Sequence, residues 1–126
     1  METNASFYLA VRERFPTLAQ KTDRKYLKDW GEQPSEQDAY GWFQFVANTL
    51  NDEMRREAYL PESAEAFLFI AHVFASASEE VRRCIDVSFV ENLFWQVPPA
   101  KAAAYWKKLP LQLQALYVDF HSKPPI

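Results

Sequence analysis

The segment SEQDAYGWFQFVANTLNDEMRRE, residues 35–57, decides the fold. Ser35, with Asp38 three residues on, has the form of a capping box, whose side chains serve backbone N–H groups that the start of a helix leaves without partners. At about 100° per residue, Ala39, Phe43, Val46, Leu50 and Met54 then fall on one stripe, the pattern of a helix that buries one face. The spacing predicts a helix to about Glu57. A second stripe, roughly opposite, holds Asp38, Trp42, Phe45, Thr49 and Asp52. It has two readings: a second layer of core with Trp42 and Phe45 in it, or an interface patch of aromatic anchors inside a charged rim. Trp30, Glu32 and Glu36 extend it upstream. The candidate partner-binding residues are therefore Trp30, Glu32, Glu36, Asp38, Trp42, Phe45, Thr49 and Asp52.

Working outward, eight prolines punctuate the chain, because proline ends a helix before it yet suits the first helical position. A first helix is expected over about Asn4 to Arg14, capped by Asn4 or Ser6 and closed by Pro16. A second runs from Pro16 to Trp30 with Gly31 after its end, and its polar middle, Gln20 to Lys25, is a candidate break. A fourth starts near Pro61 and reads AEAFLFIAHVFA, apolar almost all round, as expected of a central, buried helix. Ser76 and Glu79 suggest the cap of a fifth helix ending near Gln96. Two shorter helices, about Pro99 to Lys108 and Pro110 to His121, complete an all-α, single-domain bundle of five to seven helices over residues 1–126, with a loose tail after about 122. Two glycines beside sixteen alanines and eleven leucines support helix over sheet.

Composition narrows the chemistry. With one cysteine, Cys84, no internal disulfide can form, and no cysteine zinc cage can be assembled. Neither Gly31 nor Gly41 lies in a phosphate-cradling run. His72, His121 and Cys84 lack the spacing of a metal site, so neither cofactor nor metal is expected. Met1 to Ala10 carry no basic leader, and no apolar run approaches the ~20 residues that span a bilayer. A cytoplasmic protein without membrane contact is expected. Between residues 29 and 80 there are two basic and eleven acidic side chains, which disfavours nucleic acid and favours a partner with a basic surface. The basic stretch Arg12 to Lys28 reads as a solvated face. Residues that could carry catalysis are few. His72 reads as a core histidine, Cys84 as a core thiol, and Asp86 as the ion-pair partner of Arg82 or Arg83. Glu91, flanked by apolar residues, would need a partner if buried.

Several segments resemble a family of short, uncharacterised bacterial helical proteins. These are Phe15-Pro16, YLKDWG at Tyr26 to Gly31, the aromatic helix after Asp38, and FIAHVFASASEEVRRCIDVSFVENLFW from Phe69 to Trp95. The likeness covers about residues 7 to 95. It implies a helical bundle without catalytic residues, and some members resemble immunity proteins that bind and neutralise a bacterial toxin domain. The expected function is a non-enzymatic immunity protein that occludes the active site of its toxin. One alternative is a self-associating structural or regulatory protein, such as a homodimer; another is a small enzyme using Glu91, Asp86 or His72.

Overall fold

Prolines and one glycine partition the chain as their spacing predicts. A computed structural model describes residues 1–58 and 61–126. Seven α-helices and no strand occur among the described residues: α1 (Asn4–Arg14), α2 (Pro16–Trp30), α3 (Ala39–Arg55), α4 (Pro61–Ser76), α5 (Glu79–Arg83), α6 (Pro99–Lys108) and α7 (Leu111–His121). Phe15 ends α1 and begins α2, with Pro16 at the first helical position. After Trp30, Gly31 takes φ 77° and its N–H bonds to the Leu27 carbonyl at 2.8 Å. That left-handed turn is cheap only without a Cβ.

The Ser35–Asp38 box forms as expected. Asp38 accepts from the Ser35 N–H at 2.8 Å, and a 3-10 turn over Glu36–Asp38 leads into α3. Ala39, Phe43, Val46, Leu50 and Met54 are all buried. α3 is the axis of the bundle, packed by α1, α2, α6 and the segment after α5. Phe7 stacks on Phe43 at 4.2 Å between centroids, and one core cluster draws on all seven helices.

Four expectations are corrected. Trp42 and Thr49 are buried, at 0% and 2% exposure, so the second stripe is a packing layer over this stretch, not an exposed anchor. Trp42 meets Tyr8 edge-on at 4.8 Å, and its Nε1–H donates to Asp23 at 2.9 Å. α4 is not central. Its Phe67 and Ile70 point into the core, but Glu65, Leu68 and His72 face outward, so His72 is not a core histidine. The apolar character that suggested burial is partly roofed by cations: Arg14 lies over Phe69 and Arg82 over Phe74. The polar middle of α2 is continuous helix: Lys21, Thr22, Asp23 and Lys25 find partners on neighbouring helices, while Gln20 and Arg24 face solvent. Last, α5 is capped by Ser78, whose hydroxyl accepts from the Val81 N–H, and not by Ser76, which ends α4.

The fifth helix also does not run on to Gln96. After Arg83 it widens into a π-helical turn over Cys84–Phe89, then tightens into a 3-10 turn over Val90–Asn92. Asparagines end it. Asn92 donates to the Ser88 carbonyl at 2.8 Å, while buried Asn51 of α3 donates to the Asn92 carbonyl at 2.8 Å and accepts from the Phe94 N–H at 2.7 Å. These side-chain bonds replace the helical ladder.

Trp42→Ala should lower the unfolding free energy of the isolated domain by about 3–5 kcal/mol through the cavity it opens. Trp42→Phe keeps most of the volume but strips Asp23 of a donor, and should cost about 1–2 kcal/mol. Urea titration checks both, and a silent Trp42→Ala would contradict the burial described.

Candidate partner-binding surfaces

The predicted set separates into four groups. Trp30, Glu32 and Glu36 remain exposed at the corner between α2 and α3, with Trp30 at 64%. Trp30 leans on buried Tyr26 at 6.2 Å. Burial first, then the charge of Asp38 and of Glu32, pushes the Tyr26 phenol up, which places these acids around the same aromatic base. Asp38 itself is half-buried and spends its carboxylate on the cap. Trp42 and Thr49 belong to the core. Phe45 is half-buried edge-on to Tyr26 at 5.3 Å, and Asp52 is engaged by both Lys25 and Arg55.

Phe45 and Asp52 line a groove of about 270 Å³ with Lys25, Lys28, Arg55 and Trp95. Sequence spacing did not single out Trp95, because a helix was expected to continue through it. Instead Trp95 sits between two left-handed residues, Phe94 (φ 66°) and Gln96 (φ 53°), and is 58% exposed. Arg55 holds this loop, donating to the Trp95 carbonyl at 2.6 Å and the Gln96 carbonyl at 3.1 Å. The signal was present in the Pro98-Pro99 pair just beyond, which requires extended backbone upstream.

The residues considered for catalysis are dispersed. His72 lines a groove on α4 with Arg14, Glu65 and Leu68, apart from Asp86, which borders a different groove with Arg82 and Arg83. The expected Asp86 ion pair is not formed: Arg82 donates to the Ala75 carbonyl instead, and Arg83 acts on Asp86 only through its field. Burial, then Asp119, pushes the Asp86 carboxyl up against that field. Burial, then Asp86, raises Glu91, opposed by His121 and Arg83. Cys84 is a core thiol, and burial pushes it up to about 12. At neutral pH it is protonated, and a protonated thiol is a poor nucleophile.

Two outcomes follow. Cys84 should react with a thiol reagent slowly when native and fast in urea, whereas equal rates would show an open site. Because Asp86 and Glu91 bind protons more tightly when folded, their contribution to stability is full below the ordinary carboxylate range and is lost as pH rises through their raised values. Asp86→Asn with Glu91→Gln should remove that loss, so the stability of the double variant relative to the parent should climb with pH across that window. A pH-independent difference between the two proteins would refute the coupling.

Comparison with known proteins gives one assignment. No curated protein and no solved structure matches the chain. A family model described as a domain of unknown function, DUF7674, matches residues 8–123. The chain therefore belongs to the DUF7674 family.

Proposed function

We propose that this chain is a non-enzymatic binding protein of the cytoplasm, an immunity protein that holds a bacterial toxin domain by a basic surface and occludes its active site. The observation that carries this reading is the corner of Trp30, Glu32 and Glu36. An indole left 64% exposed beside carboxylates has the composition of an interface anchor with a charged rim. The anchor is well supported, since Trp30 rests on Tyr26, Tyr26 on Phe45, and the turn beneath is fixed by Gly31. Burying that indole against a partner would return a large apolar area, and the acids would steer a cationic surface toward it. The choice of a toxin domain rests on the resemblance of the Tyr26–Gly31 and Phe69–Trp95 segments to a family of uncharacterised bacterial helical proteins, some of which resemble immunity proteins.

The test partner is the C-terminal domain of a secreted protein, if the gene beside that of this chain encodes one. Co-expression should protect cells from that domain, and the purified pair should associate. Trp30→Ala should weaken the complex by about 2 kcal/mol without lowering the melting temperature of the free protein. Glu32→Lys with Glu36→Lys should mainly slow association, by an amount that shrinks as salt rises. Absence of protection, or a Trp30→Ala complex of unchanged affinity, would reject the reading.

A further inference from the structure

The basic stretch of the first 28 residues is not an evenly solvated face. In the fold its α2 members, Lys21, Arg24, Lys25 and Lys28, line the seam between α2 and the C-terminal half of α3, where two grooves meet at Lys25 and Asp52, while Arg12 is taken by Asp23 and Arg14 lies over Phe69. Six cations and three carboxylates line them. Lys21 is taken by Glu53, while Lys25 and Arg55 share Asp52. Arg24, Lys28 and Arg56 are exposed and form no ion pair among the described residues. Arg24 and Lys28 are four apart on one face of α2. Cations near the ends of α2 and α3 favour the helix dipoles, which accounts for Lys28, Arg55 and Arg56 but not for Arg24, midway along α2. Exposed Trp95 and half-buried Phe45 line the first of the two grooves together.

The geometry points to this seam as a docking groove for an acidic, aromatic- or leucine-bearing segment of a protein partner. It is distinct from the acidic corner at Trp30 and does not depend on the toxin reading. Charge complementarity selects the occupant: cations outnumber carboxylates six to three along the two grooves, with Lys28 in the groove of the exposed Trp95 indole and Arg24 and Arg56 in the adjoining one, in a chain of net charge −3. A polynucleotide is disfavoured, because Asp29, Asp52 and Glu53 interrupt the cationic track and a continuous phosphate backbone must pass them. A peptide can place carboxylates only where the cations are. The backbone supports a binding role independently. Two non-glycine residues in left-handed conformation flank Trp95, and Asn51 and Arg55 hold them there, so the indole is presented on a loop whose conformation is already fixed before binding.

The probe is a short fluorescein-labelled peptide rich in Glu with a central Phe-Leu pair, read by fluorescence anisotropy. It is run beside the same peptide with Lys for every Glu, and beside an oligodeoxythymidine of comparable length. The acidic peptide should bind, more weakly as salt rises. Arg24→Glu with Lys28→Glu should weaken it about tenfold or more, as should Trp95→Ala. The exposed pair Lys107→Glu with Lys108→Glu on α6 should leave it unchanged. Circular dichroism confirms that each variant is folded, and Lys28→Gln provides a milder second variant that should fall between parent and double. Failure of the acidic peptide to bind, equal binding of the Lys peptide, tighter binding of the oligonucleotide, or an Arg24/Lys28 variant of full affinity would each overturn the proposal.

Discussion

The carboxylate of Asp23 joins three helices at one point. It stands on α2, accepts from the indole N–H of Trp42 on α3 at 2.9 Å, and takes both ends of the Arg12 guanidinium on α1 at 2.8 Å. Arg12 in turn lies over the rings of Tyr8 and Trp42. A buried indole needs an acceptor and a half-buried carboxylate needs donors, so each group settles the other's cost of leaving water. This fixes the azimuth of α3 against its neighbours. Once Trp42 is turned toward Asp23, Phe43 must stack on Phe7, and Phe45 and Asp52 are left along the α2 seam. Both candidate surfaces are consequences of that rotation.

The rest of the α2–α3 seam follows the same logic. The buried hydroxyls of Thr22 and Thr49 lie 3.1 Å apart, each also 2.8 Å from the carbonyl four residues before it, so their two protons are shared between the link across the seam and the two helices' own carbonyls. Lys21 reaches buried Glu53 at 2.9 Å. The hydrophobic stripe alone would permit α2 and α3 to slide or rotate, since apolar contact is not directional. The polar contacts remove that freedom. They also explain why the hydrophilic run from Gln20 to Lys25, which reads as an interruption, is continuous helix.

The helix boundaries were legible where a single residue dictates them locally. Pro16, Gly31, the Ser35–Asp38 box, Pro61 and Pro99 act through their own backbone geometry, and each falls where expected. The end of the fifth helix was not legible, because it depends on Asn51, some forty residues away in sequence. No window around Asn92 contains that information. The status of the second stripe on α3 was undecidable for a similar reason. Trp42 and Trp30 look alike as residues, and only the position of Asp23 across the seam makes one a core group and leaves the other at the surface. The apolar run of α4 misled because Phe69 and Phe74 are covered by Arg14 and Arg82, a shelter that hydropathy does not register.

Charge tells a similar story about segments and space. Along the sequence the middle third is acidic and the ends are basic, yet the fold does not reproduce that division. Asp52 and Glu53 are drawn into pairs with α2, so the acidic segment supplies the counterions of the basic one. Groups left without an ion pair among the described residues include Glu32 and Glu36 just beyond Trp30, Lys28 and Asp29 in the groove that contains Trp95, and Arg24 and Arg56 in the adjoining one. A chain selected only for stability has no need of two exposed indoles, one followed by exposed acids and the other in a groove where cations outnumber carboxylates. Exposed pairs contribute little to folding, whereas unpaired charges beside an apolar anchor act on encounter and orientation. The distribution that is neutral for the fold is therefore the one with most consequence for association, and it arises from residues that the core geometry leaves over.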